Sequence, residues 1–112
     1  MDREVIWLPE AEADVAEIGA YLESTASAAV AISVVTKIRA AALSAIDFPY
    51  AARMIPEFGD PERRETFVFD YRVMYRIEHD HIRILRVVHG RRLIKNIPGS
   101  FEEPGQGAYK AA

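Results

Sequence analysis

The sequence predicts a small α+β domain: an N-terminal strand, then an antiparallel helical hairpin packed on one face of an antiparallel sheet, in the order β-α-α-β-β-β. Three observations carry this. Two successive stretches, 9–24 and 28–48, repeat apolar residues with helical period. After a Pro- and Gly-bearing segment at 49–64, the period changes from 3.6 to 2. Ahead of both lies a β-prone apolar run, Val5-Ile6-Trp7-Leu8. At 112 residues the chain has room for one core, so residues 1–94 read as a single domain and 95–112 as a C-terminal tail.

Each element has a local reason. Val5 to Leu8 reads as a buried strand closed by Pro9. Pro9 suits the first helical position, Glu10 and Glu12 suit the positive end of a helix dipole, and Ala11, Val15, Ile18 and Leu22 form one stripe, predicting a helix from about Pro9 to Ser24. Ser27 is placed to cap a second, longer helix in which Val30, Val34, Ile38, Ala42 and Ala45 keep the spacing until Pro49 ends it. Its many alanines let another helix backbone come close. Residues 49–64 read as a loop with a short helical turn at Tyr50 to Met54. Thr66–Phe69, Tyr71–Glu78 and Ile82–Val88 then read as strands, broken at Asp70 and turned at His79-Asp80-His81. In the middle strand Tyr71, Val73, Tyr75 and Ile77 face one way and Arg72, Met74, Arg76 and Glu78 the other, and one of the two faces is for the helices. The last strand is apolar on both faces, which leaves the sides of Arg86 and His89 open. Leu93-Ile94 would extend the sheet briefly.

Composition excludes several function classes. Half the residues are apolar and 28% charged, ordinary for a globular chain. No apolar run reads as a membrane span and no export signal is visible, so the expected location is the cytoplasm. Zero cysteines exclude disulfides and thiol chemistry. The net charge of −3 conceals two halves: residues 1–49 are acidic, whereas 63–95 hold Arg63, Arg64, Arg72, Arg76, Arg83, Arg86, Arg91, Arg92 and Lys95 against four acids. Such asymmetry points to a charged partner.

Catalytic motifs are scarce. No His/Asp/Glu spacing suits a metal, no serine sits on a strand-to-helix elbow, and the glycines form no phosphate loop, so neither metal nor cofactor is expected. His79 and His81 read as solvated turn residues. His89, followed by Gly90-Arg91-Arg92, has the placement of a general acid beside phosphate-binding arginines, although a strand-end histidine bonded to backbone has the same sequence. Arg72, Arg76, Arg83 and Arg86 on neighbouring strands are read as converging beside Tyr71 or Tyr75. Such an array suits RNA or an acidic protein segment, and it also suits a solvated face paired to Glu65, Asp70 and Glu78. The acidic net charge favours a protein partner over a nucleic acid.

Residues 5–92 resemble the RelE/ParE toxin superfamily, the ParE branch more than the RelE branch. The likeness rests on the strand ending in Leu8-Pro9, on Ala11-x-x-Asp14-Val15-x-x-Ile18-x-x-Tyr21, on Tyr71-Arg72-Val73-Met74-Tyr75-Arg76-Ile77, and on Val87-Val88-His89-Gly90-Arg91-Arg92. It implies the toxin of a bacterial type II toxin–antitoxin module, held by a ParD-like antitoxin in a hetero-oligomer that binds operator DNA through the antitoxin. ParE-like relatives poison DNA gyrase; RelE-like relatives cut mRNA on the ribosome. The gyrase reading implies no catalytic residue, with Arg72, Arg76, Arg86, His89, Arg91 and Arg92 as contacts to target or antitoxin. The nuclease alternative implies Arg72 on the scissile phosphate, His89 as general acid and Arg91 or Arg92 as a further phosphate ligand. Glu65, Thr66, Phe67 and Val68 stand where nuclease relatives carry lysines, and Tyr109 lies too far along the tail to match their C-terminal aromatic. A third implication is an inactive homologue that only binds antitoxin.

Overall fold

The computed structural model describes residues 3–92. Leu93-Ile94, the tail 95–112 and Tyr109 lie outside the described residues. The element order is β1 (Glu4–Trp7), α1 (Pro9–Thr25), α2 (Ala28–Asp47), β2 (Arg53–Met54), β3 (Arg63–Val68), β4 (Tyr71–Ile77) and β5 (His81–His89). The five strands form one sheet in the order β1-β5-β4-β3-β2. This is the α+β fold that the sequence predicts.

Three details correct the sequence reading. β1 pairs parallel to β5 at the edge, from Glu4 against His81 to Trp7 against Ile84, so the sheet is mixed and β1 is only half-buried. The helical turn expected at 50–54 is cut short: one turn closes from Phe48 to Ala51 through the Ala51 amide on the Phe48 carbonyl at 3.1 Å, and Arg53 and Met54 are instead a two-residue strand paired antiparallel with Glu65 and Arg64. Such a short edge strand has no period to read. Finally, α2 is long and apolar enough to pass for a membrane span by length and composition. It buries one stripe, Ala31, Val34, Ile38, Ala42 and Ala45, in the core and leaves Ile32 and Leu43 exposed.

Both helix starts follow local chemistry. Pro9 opens α1 with Glu10 and Glu12 in the first turn, and the Ser27 side chain accepts the Val30 amide at 3.1 Å to cap α2. The helices meet at Gly19, where an added Cβ would make only an ordinary contact with Val35 at 3.5 Å, so the packing there does not require glycine. The hairpin buries Ala11, Val15, Ile18, Val34 and Ile38 against Val73, Tyr75, Ile77, Ile82, Ile84 and Val87 on one sheet face. Burial of that set supplies most of the folding free energy, at about 25 cal/mol per Å² of apolar area. A smaller cluster of Ile55, Met74 and Val88, with Phe58 packed on it, covers part of the opposite face.

Candidate functional site

The strand ladder decides what each arginine can do. Among the described residues no strand lies beside β5 beyond Trp7, and α1 takes the vacated edge. Asp14, buried on the apolar stripe of α1, fills the gap: its carboxylate accepts the Val87 amide at 2.9 Å and the Arg86 guanidinium at 2.7 Å and 2.8 Å, from Nε and Nη2. An extra residue in β5, Leu85, lies between the pairs Met74–Arg86 and Tyr75–Ile84. It is a bulge of the kind that re-aims a side chain. Bonding to Asp14 raises the Arg86 pKa above the usual guanidinium range.

Arg72 is likewise enclosed. It is 4% exposed, with Nε on Glu65 at 2.6 Å and Nη1 and Nη2 on the Glu57 carboxylate at 3.0 Å and 2.8 Å. Glu65 also accepts Arg53 at 2.6 Å. Arg72 donation holds the Glu57 carboxyl below its ordinary value, against the opposing effect of burial. Glu57 and then Glu65 raise Arg72 in turn, again against burial. Two carboxylates thus meet the face of the guanidinium where an anionic ligand would bind.

The expected convergence beside the tyrosines is therefore corrected. Arg72 and Arg76 lie on the sheet face opposite Tyr71 and Tyr75, which pack with the helices. Arg86 is tied to α1, and Arg76 and Arg83 lie beside Glu78, at 3.8 Å and 3.0 Å. Tyr75 donates its hydroxyl to the Pro49 carbonyl at 2.7 Å, and burial pushes its pKa up to about 12.

The remaining three predicted residues do cluster. His89, Gly90, Arg91 and Arg92 turn at the end of β5, where the Gly90 amide donates to the Asp70 carbonyl at 2.7 Å. A Cβ at Gly90 would stand 3.1 Å from that oxygen, so the turn favours a residue without one. His89 sets its ring edge-on to Tyr71, centroids 5.8 Å apart, and its Nδ1 accepts the Arg91 amide at 3.2 Å. That bond requires the tautomer protonated on Nε2. His89 and Arg92 line a pocket of about 410 Å³ with Glu17, Ile18, Tyr21 and Tyr71. A neighbouring groove of about 400 Å³ shares Tyr71 and His89 and adds Leu22, Val30, Val34 and Phe69. Burial, with Tyr21 and Asp70 nearby, raises the Tyr71 pKa. Phe69 takes a positive φ of 53°, a costly conformation for a bulky residue, and Lys37 lies 5.3 Å from its ring centre.

Chemically, this end offers aromatic and apolar surface with an imidazole donor and exposed arginines, a combination suited to gripping a protein segment. Among the described residues no group of three or more His, Asp or Glu is placed to hold a metal. Sequence reasoning missed Glu57, which stands in a loop, and the structural use of Asp14. An acid at position 14 between the core residues Ala11, Val15 and Ile18 was the available signal.

The family model "ParE toxin of type II toxin-antitoxin system, parDE" matches residues 5–94. Among solved structures, a chain described as "Chromosomal ParDE TA system from P. aeruginosa" is similar with a TM-score of 0.66 and 18% identity, over 78% of this chain and 95% of that one. At that identity the likeness speaks for the fold. No curated protein sequence gives a match.

Proposed function

The chain belongs to the ParE toxin family of type II toxin–antitoxin systems, and from that premise we propose that it arrests growth by binding and inhibiting DNA gyrase in the cytoplasm. Family membership implies an antitoxin partner. The finer reading is a ParD-like antitoxin that neutralises the toxin and carries the pair to operator DNA.

One observation carries the choice of a binding mode over RNA cleavage. Arg72, the arginine that a nuclease would need on the scissile phosphate, is buried with Glu57 and Glu65 on its donors. A phosphate entering there would meet two carboxylates at Coulombic cost and would have to displace charge-assisted hydrogen bonds. The contact residues left to a protein target are His89, Arg91 and Arg92 with the aromatic pocket beside them.

Controlled induction without antitoxin tests this, with labelled thymidine and methionine followed over the first minutes and a supercoiling assay on purified gyrase. Thymidine incorporation falls first and supercoiling is inhibited. Methionine falling first, with RNA cleaved at ribosomes, overturns the proposal in favour of the nuclease. The placement of His89 beside Tyr71 and Arg92 is what that second reading rests on, and His89→Ala then abolishes toxicity. Absence of any growth effect assigns the chain to antitoxin binding alone.

A further inference from the structure

The outward face of α2 carries a pattern that neither the core nor the site uses. Ile32 and Leu43 are 66% and 59% exposed. They stand eleven residues apart, about three helical turns, and so on the same rim. Ala29, Thr36, Ala40 and Asp47 form the adjoining exposed stripe, at spacings of seven, four and seven. The positions of this face are symmetric about Ile38: Thr36 and Ala40 are equidistant from it, Ala29 and Asp47 are equidistant, and the chemically alike pairs Ile32 with Leu43 and Ser33 with Ser44 are centred within half a residue of it.

We infer that this face is a contact between two copies of the chain, with α2 packed antiparallel to α2 of the partner about a twofold axis near Ile38. In a twofold contact each rim meets its own copy, so Ile32 meets Leu43 of the partner subunit, Thr36 meets Ala40 of the partner subunit, and each pair occurs twice. Charge argues for the same register. α2 has no acid in its first turn and no base in its last, and it ends on Asp47, a placement that opposes its own helix dipole. Antiparallel pairing brings Asp47 beside Ala29 of the partner subunit, at the positive end of that helix. The other charges on α2 have partners within the chain: Arg39 bonds Glu12 at 2.7 Å, and Lys37 lies over Phe69. The strongly acidic α1 offers no such self-complementary face. A small-residue stripe flanked by two apolar knobs suits close helix packing. This inference goes beyond the proposed target and is independent of it.

Sedimentation equilibrium of the purified full chain tests it, with Ile32→Glu, Leu43→Lys and the double variant, all checked for folding by circular dichroism. The wild type is a dimer. Each single substitution buries an unpaired charge twice and weakens association at least about 30-fold. The double variant sets the two introduced charges, opposite in sign, against each other across the axis and recovers association to within about tenfold of the wild type. A wild-type chain that is monomeric throughout, including one whose α2 becomes protected only when antitoxin is added, overturns the inference. Folded single variants that stay dimeric, or a folded double variant that stays monomeric, overturn it equally.

Discussion

The two faces of the sheet are built from alternate residues of the same strands, yet they are held by different physics. On the helix side Val73, Tyr75, Ile77, Ile84 and Val87 are buried among aliphatic side chains. On the other side Arg72, Glu65 and Arg63 are as deeply buried, and there the partners are charges: Glu57 and Arg53 complete the cluster around Arg72 and Glu65, and Asp60 pairs with Arg63. Arginines that look in the sequence like a ligand-reading array are thereby committed to holding the fold. Charge in a sequence is evidence for a binding surface only once its intramolecular partners are known.

The largest expected effect is on the ionic face. Glu65→Ala leaves Arg72 without its Nε acceptor and is expected to cost about 3–5 kcal/mol, read by chemical denaturation. Ile84→Ala on the helix face is the matching probe, at about 2–5 kcal/mol. A cost below about 1 kcal/mol for Glu65→Ala would break the comparison by showing that water repairs the cluster. The paired substitution Glu65→Leu with Arg72→Met sharpens it: replacing both charges by apolar groups is expected to cost far less than Glu65→Ala alone.

A smaller effect separates the faces by pH. Tyr75 on the helix face has its pKa raised to about 12 from an unfolded value of 10, so burial favours its neutral form. Its contribution is complete below pH 10 and is lost as pH rises from 10 to about 12. Tyrosinate absorbance rising in step with alkaline unfolding, and shifted in Tyr75→Phe, is the expected record. On the ionic face the sign reverses. The Glu57 pKa is lowered, so its contribution is present above the ordinary carboxylate range and is lost as pH falls through the folded value. Glu57→Gln is expected to flatten that acid limb only slightly, because Glu57 is 40% exposed and water screens the pair. The smallest stability effect belongs to the exposed end of β5. Arg91→Ala with Arg92→Ala is expected to stay within about 0.5 kcal/mol of the parent while weakening the proposed gyrase inhibition, and full inhibition by that variant would remove both residues from the proposed contact.

Several features of the fold were legible because their causes lie within a few residues. Ser27 caps because its hydroxyl reaches an amide three positions away. Pro9 starts a helix and Pro49 limits one through backbone geometry alone, and Tyr71 to Ile77 alternates because a strand does. The alternation also placed Arg72 and Arg76 on the face opposite Tyr71 and Tyr75, and the resemblance to ParE toxins followed from these local patterns in order.

What remained hidden depends on separations that no local pattern encodes. Asp14 and Arg86 meet across 72 positions because β1 stops where α1 begins and opens an edge on β5. Glu57 reaches Arg72 from a loop, and that loop is positioned by Ile55 and Phe58 against Met74. The chain by itself determined the order of elements, their ends, the apolar faces and the family. Only the tertiary structure decided which arginines are neutralised and which face outward, because ion pairing depends on separations of about 4 Å or less, and folding sets them.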